Sequence, residues 1–292
     1  MRFTPDSTGI DPMKIAVLSG KGGTGKTLVS VNLAEVAGQA RYLDCDVEEP
    51  NGHLFFKPGD LEIERVAVKI PVVDQDKCTG CRKCVDFCQF NALAYIREEL
   101  IVFEEICHSC GGCVLVCPEK AFSEKDKEIG RIERGVSGQV QVHSGIMNTG
   151  EESGIPIIDR LLEGQDDDPD LLTFIDCPPG TSCIVMETVA GADYCVLVAE
   201  PTIFGAHNLA MVYQLVNLMG KPLGVVLNKI QEGDNPSEAF CLEKGLPILG
   251  SIPFDQKLGL INSKGEIAVR EDQGYRIWFE ELLTVILEEA CP

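Results

Sequence analysis

The chain has 292 residues, 45% of them hydrophobic, and its 46 acidic against 25 basic side chains leave a formal charge of −21. That is enough apolar material for one large or two small globular domains, and no window of about twenty apolar residues offers a membrane span. So acidic a surface lacks the cationic face that nucleic acid or an anionic membrane would need, which argues against both as partners.

The 14 cysteines follow no export leader, so the expected location is a reducing cytoplasm, where thiols ligate metals and disulfides are rare. Residues 1–12 are polar with two prolines and read as a flexible lead-in to Met13. Residues 15–18 form an apolar run that reads as a buried parallel strand, and residues 28–37 read as a helix. Between them Gly20-Lys21-Gly22-Gly23-Thr24-Gly25-Lys26-Thr27 fits the pattern G-x-x-x-x-G-K-S/T. Glycines let such a loop curl so that backbone N–H groups face phosphate oxygens, and the helix behind adds its positive end. Lys26 would reach the β- and γ-phosphates of ATP, or the β-phosphate of ADP, and the Thr27 hydroxyl would hold Mg²⁺. Residues 41–44 read as a second strand ending in Asp44-Cys45-Asp46. Ligands gather at the carboxyl ends of parallel strands, so these acids face the phosphate loop.

Residues 61–74 alternate loosely and read as one strand or a hairpin arm leaving the sheet. The composition then changes. Cys78, Cys81, Cys84 and Cys88 repeat, 29 residues on, as Cys107, Cys110, Cys113 and Cys117, followed by Pro118. Both runs match the spacing of bacterial two-cluster ferredoxins, in which the fourth cysteine of each run serves the other cluster. The expected ligand sets are therefore Cys78, Cys81, Cys84 and Cys117 on one 4Fe-4S cluster, and Cys107, Cys110, Cys113 and Cys88 on the second. Zinc fits poorly, because it favours two separated pairs over two identical quartets. An insert over residues 74–123 would order itself around the clusters with little apolar core.

Beyond it, residues 127–142 read as two strands joined around residues 135–138, residues 154–163 as a helix, and residues 166–170 as an acidic solvated loop. Residues 171–175 read as a buried strand, followed by Asp176-Cys177-Pro178-Pro179-Gly180-Thr181. Further strands are expected at 194–198 and 223–227, with helices at 206–219 and 274–289; the last has an acidic polar face and should pack on the domain. Cys45, Cys177 and Cys195 read as core thiols and Cys183 as a small packing residue or a local thiol. Cys241 and Cys291 form no C-x-x-C.

Lys21 ahead of Gly22-Gly23-Thr24-Gly25-Lys26-Thr27 resembles the deviant Walker A motif of the MinD superfamily, which includes partitioning ATPases, the nitrogenase iron protein and iron-sulfur carrier ATPases. The resemblance implies an α/β fold, a mostly parallel sheet flanked by helices, built from residues 13–73 and 124–292. It implies that Lys21 reaches across an ATP-dependent homodimer, that Asp46 orients the attacking water, and that Asp176 meets the Mg²⁺ shell while the Gly180 amide senses the γ-phosphate. Asn228 and the Pro253-Phe254 pair are similar to the family's adenine-contacting segments. The catalytic set is then Lys21, Lys26, Asp46 and Asp176. The expected function is an ATP-binding and ATP-hydrolysing protein that couples nucleotide state to electron transfer with a redox partner protein. The alternative is an iron-sulfur cluster carrier, assembly or spatial-organising ATPase that uses the insert for docking or sensing; the C-terminal C-x-x-C on which carriers of this superfamily hold a cluster is missing.

Overall fold

A central strand with both faces covered organises the molecule, which a computed structural model describes over residues 13–163 and 171–291. In β1 (Lys14–Leu18), Ile15 and Val17 point into one apolar core while Ala16 and Leu18 point into another. This is the continuous hydrophobic run that a parallel strand between two helix layers requires. The lead-in read over residues 1–12 and the acidic loop at 166–170 lie outside the described residues.

Helix α1 (Lys26–Ala37) returns the chain to β2 (Ala40–Asp44), followed by α2 (Gly52–Phe56) and the long β3 (Gly59–Val73). The cysteine-rich segment holds α3 (Lys83–Phe87), the hairpin β4 (Leu93–Ile96) and β5 (Glu99–Val102), and α4 (Gly112–Val116). The chain rejoins the sheet through β6 (Phe122–Ser137) and β7 (Val140–Met147). It continues as α5 (Ile155–Glu163), β8 (Leu172–Asp176), α6 (Cys183–Ala190), β9 (Tyr194–Ala199), α7 (Ile203–Leu218), β10 (Leu223–Ile230), α8 (Pro236–Lys244) and β11 (Ile248–Pro253). Three helices close the chain: α9 (Gln256–Ser263), α10 (Ala268–Glu271) and α11 (Gln273–Ala290).

The main sheet has nine strands in the order β11-β10-β9-β1-β8-β2-β7-β6-β3. It is parallel from β11 to β7, and β6 and β3 add an antiparallel edge. Helices α1 and α11 cover one face, the latter through Phe279, Leu282 and Ile286 as its pattern implies. The other face is covered by α5 to α8, through residues such as Ile157, Val185, Leu209 and Cys241.

The edge positions the cysteines. β6 pairs with β7 only from Gly130 to Ser137, whereas its pairing with β3 runs on to Val73 opposite Phe122. The ribbon therefore projects beyond the carboxyl ends of the parallel strands for roughly 23 Å at 3.3 Å per residue. At its neck the Asp74 amide donates to the Ala121 carbonyl at 2.7 Å. The segment beyond has its own two-stranded sheet and a small core around Cys84, Leu93 and Leu100.

Two expectations are corrected. β6 begins five residues earlier than its periodicity indicates and β7 runs five residues further, with the turn at Gly138 (φ 64°). Residues 123–126 are exposed polar or charged side chains on a ribbon with no covered face there, so they carry no apolar alternation to read. Cys183, unlike the buried Cys45, Cys177 and Cys195, is exposed at the first residue of α6, which excludes the packing residue and leaves the local thiol of the two readings. Among the described residues no helix is long and apolar enough to cross a membrane.

β7 packs closely on Val47, just past β2, and on α5. A Cβ on Gly145 would lie 2.7 Å from Val47, 2.8 Å from Leu161 and 2.9 Å from Ile157. Gly145→Ala is therefore expected to destabilise the protein by about 1–3 kcal/mol, read as a lower urea midpoint at unchanged slope; an unchanged midpoint would contradict this packing.

Candidate functional site

The phosphate-loop segment joins β1 to α1 and is braced from outside by the end of β10. Asn228 donates through Nδ2 to the Thr24 carbonyl at 2.7 Å, and Lys229 Nζ donates to the Gly23 carbonyl at 2.6 Å. Gly25 has φ 98°, and a Cβ there would lie 2.1 Å from Asn228 Nδ2, so glycine is demanded by conformation and by space. Asn228 is 2% exposed and its amide is committed to this brace, its oxygen accepting from the Lys229 amide at 2.9 Å.

Glu200, just past β9, holds two lysines at once: Lys21 at 2.7 Å and Lys229 at 2.6 Å. The loop opens on a cavity of about 560 Å³ bordered by Lys21, Lys26, Thr27, Asp46, Pro253 and Phe254, within the size range of small-molecule sites. Gly20 and Thr24 support it from behind, Thr24 being buried with its hydroxyl unpartnered and Gly20 lying against Asn208 on α7. Gly22, Gly23 and Asn228 also line it, and so does Asn262 on α9, whose side-chain oxygen has no partner. No sequence pattern singles out Asn262.

Beneath the loop, the ends of β2 and β8 bring three carboxylates near one ammonium, two of them within ion-pair distance. β1, β8 and β2 lie side by side, with Val17 and Asp44 both in register with Asp176. Lys26 Nζ sits 2.6 Å from Asp176 and 3.8 Å from Asp46. Tyr42 donates to the other Asp176 oxygen at 2.7 Å. Asp44 accepts from the amides of Asn51 at 2.9 Å and Gly52 at 2.7 Å. Burial pulls the Lys26 pKa down, but Asp176, Asp46 and Asp44 outweigh it and the net direction is up. Burial, reinforced by Asp176, pushes Asp44 up to about 7 against the Gly52 amide and Lys26. Asp46 rises to about 6, from burial and the nearby Asp176, with Lys26 opposing. A site with surplus carboxylate beside an anion-cradling loop suits a divalent cation carried by phosphates.

Gly180 adopts φ 96° and its amide donates to the Ser19 carbonyl at 2.9 Å, which lays the segment after β8 against the start of the loop. Tyr42 and Glu200 were not singled out from sequence, whereas Asp44 was expected only as one of the acids at the end of its strand. Asp44 and Glu200 lie at carboxyl ends of parallel strands, the same signal that marked Asp46 and Asp176.

The cysteine segment forms two quartets, each crossing between the repeats. Cys78, Cys81, Cys84 and Cys117 surround one cavity; Cys88, Cys107, Cys110 and Cys113 surround the other. The duplication extends to the backbone. Gly80 and Ser109, Arg82 and Gly111, and Asn91 and Lys120 are three pairs 29 residues apart, all with positive φ. The Ala92 and Ala121 amides donate to Cys88 Sγ at 3.4 Å and Cys117 Sγ at 3.3 Å, as amides do around cluster thiolates. Among the described residues no three His, Cys, Asp or Glu side chains converge on a single ion. A cube distributes one thiolate to each iron, so its four ligands need not converge on a single ion. His108 stacks on Phe90 beside the second quartet, ring centroids 3.8 Å apart.

The family model for the CobQ/CobB/MinD/ParA nucleotide binding domain matches residues 15–269. The chain belongs to this family. An uncharacterized protein of Methanocaldococcus jannaschii is 32% identical over 246 residues, covering 83% of this chain and 85% of its own. An uncharacterized ferredoxin of the same organism is 37% identical over 61 residues, 20% of this chain and 78% of its own. The septum site-determining protein MinD of Pyrococcus horikoshii, solved with Mg-ADP, superposes with a TM-score of 0.56 at 20% identity, covering 93% of this chain and 94% of that one. The protein is thus a MinD-type P-loop domain with a ferredoxin-like insert.

In this MinD-type site Asp46 carries a measurable electrostatic cost. Its folded pKa of about 6 exceeds the ordinary value, so the folded state holds its proton more tightly than the unfolded chain does. Stability from this group is lost as pH rises from about 4 through 6. Asp46→Asn is expected to stabilise the protein by about 1–2 kcal/mol at pH 8 and by nothing near pH 4. Melting curves at the two pH values check this, and equal effects at both would contradict it.

Proposed function

We propose that the protein binds and hydrolyses ATP and couples its nucleotide state to electron transfer through two 4Fe-4S clusters to a partner protein. The observation that carries this reading is the placement of a phosphate-loop cavity and two crossed cysteine quartets beyond the same carboxyl edge of one sheet.

In the reaction, water attacks the γ-phosphorus and the bond to the β,γ-bridging oxygen breaks, giving ADP and phosphate. Thr27 and Asp176 would hold Mg²⁺ with the nucleotide. Lys26, now paired with Asp176 at 2.6 Å, turns to the β- and γ-phosphate oxygens. Asp46 borders the cavity and would orient the water. Pro253 and Phe254 border the same cavity and would pack against the adenine. Lys21, whose side chain is 39% exposed and held only through Glu200, leaves that carboxylate to reach the phosphates of a second copy. The Gly180 amide exchanges the Ser19 carbonyl for the γ-phosphate. The clusters supply one-electron carriage, and the eight cysteines with the Ala92 and Ala121 amides hold them. The acidic surface and the absence of a described membrane-crossing helix are compatible with a cytoplasmic protein that meets other proteins, not nucleic acid or lipid.

Protein purified without oxygen is expected to contain about eight irons and eight sulfides per chain and to hydrolyse ATP. Lys26→Ala should lower kcat by about 100-fold or more at unchanged iron content. Absence of iron, or turnover indifferent to Lys26→Ala, would defeat the reading. Lys21→Ala should abolish ATP-dependent dimerisation in sedimentation while leaving nucleotide binding in place; dimers that persist would remove Lys21 from the interface.

A further inference from the structure

The loop that carries Asp46 and the insert that carries Cys107 are joined by a continuous series of contacts through the root of the ribbon. Val47 is 1% exposed and its methyl groups fill a slot where a Cβ on Gly145 or Gly154 would lie 2.7 or 2.3 Å away. The Val47 carbonyl accepts from the Met147 amide at 2.9 Å. The next amide, Asn148, donates to the Ile129 carbonyl at 2.9 Å, and the Asn148 side chain donates to the Glu128 carbonyl at 3.3 Å. These two residues sit where the ribbon register slips, Val66 pairing with Gly130 and Ala67 with Glu128. Such a bulge bends the strand and sets the angle at which the ribbon leaves the sheet.

One residue further, Lys127 makes the connection to the insert. Its Nζ lies 2.7 Å from the Glu151 carboxylate, in the segment between β7 and α5, and donates to the Glu104 carbonyl at 3.0 Å. Glu104 opens the short turn Glu104–Ile106 that leads directly into Cys107. The Glu104 carboxylate takes Lys125 at 2.7 Å. The other ion pairs on the projecting ribbon are open to water: Lys69 with Asp126 has side chains 58% and 68% exposed, a setting in which such pairs contribute little. The Lys127–Glu151 pair is different, at 20% and 14%. It binds three separate segments at one point.

We propose that Lys127 is a positioning residue that ties the insert to the nucleotide-site loop, so that nucleotide binding beside Asp46 reorients the segment before Cys107. The proposal rests on the reading that one chain takes up both nucleotide and clusters. The transmission is mechanical. Val47 is wedged between two glycines in a close-packed core, so a shift of residues 46–52 is passed to β7 and the 148–154 segment and is not absorbed by empty space. Asn148 and Glu151 then move the bulge and Lys127 together, and Lys127 carries Glu104 with it. Without the ammonium, the Glu104 carbonyl loses its tie to the Glu151 segment, and the stretch before Cys107 follows the loop no longer.

Hydrogen exchange on the full, anaerobically loaded protein, with and without Mg²⁺ and a non-hydrolysable ATP analogue, reads this out segment by segment. The wild type is expected to change protection at residues 46–52 and again at residues 99–107. In Lys127→Met the change at 46–52 remains and the change at 99–107 is lost; Lys127→Arg restores it. Glu151→Gln, which keeps the lysine and removes its anchor on the loop side, gives the same loss and serves if the first variant folds poorly. Iron content and melting temperature, equal to wild type, exclude general disruption. The proposal is overturned if the change at 99–107 persists in both variants, or if the wild type responds at 46–52 and not at 99–107. A wild type that retains clusters but takes up no analogue would overturn the nucleotide reading itself, and the proposal with it.

Discussion

A lysine ammonium near three carboxylates, at the ends of two adjacent parallel strands, is the arrangement on which the rest of the site depends. Lys26, Asp44, Asp46 and Asp176 lie close because β1, β8 and β2 are neighbours in register. The cluster has more negative charge than its one cation balances, and burial raises the pKa of both Asp44 and Asp46. A divalent cation would add the positive charge that these carboxylates lack. The brace from Asn228 and Lys229, and the hold of Glu200 on Lys21, keep the loop shaped around this centre.

The ferredoxin-like segment is attached where it can respond to that centre. Its ribbon is the antiparallel continuation of the sheet edge and leaves on the side where the strands end, the side that also holds the nucleotide cavity. Four strand spacings separate β1 from β6, or roughly 19 Å, too far for direct contact between nucleotide and cluster ligands. The proposed coupling would therefore pass through packed residues, and those between Val47 and Glu104 are close-fitting and bonded at each step.

Much of this architecture is legible in the sequence, for reasons that differ from part to part. The strand, phosphate loop and helix around residues 14–37 announce themselves because a glycine-rich loop between an apolar run and a helical pattern has few other uses. The crossed cysteine quartets follow the ferredoxin pattern, in which three thiols at two-residue gaps take three irons of one cube and the fourth cysteine of each run serves the other cube. The route between the two functions was not legible. It depends on a bulge at Ile129, on two glycines that admit Val47, and on a lysine in a run of charged residues that carries no periodic signal. Tyr42 escaped attention because its role arises from strand order, which brings it within hydrogen-bonding distance of Asp176, 134 positions away.

The account claims that a nucleotide at the phosphate loop is felt at the clusters. Redox titration of the clusters, followed by their paramagnetic spectra with and without a Mg²⁺-bound ATP analogue, measures this directly. A displaced potential or an altered spectrum for at least one cluster is the result predicted. Two clusters with the same potentials and the same spectra in both states would contradict it.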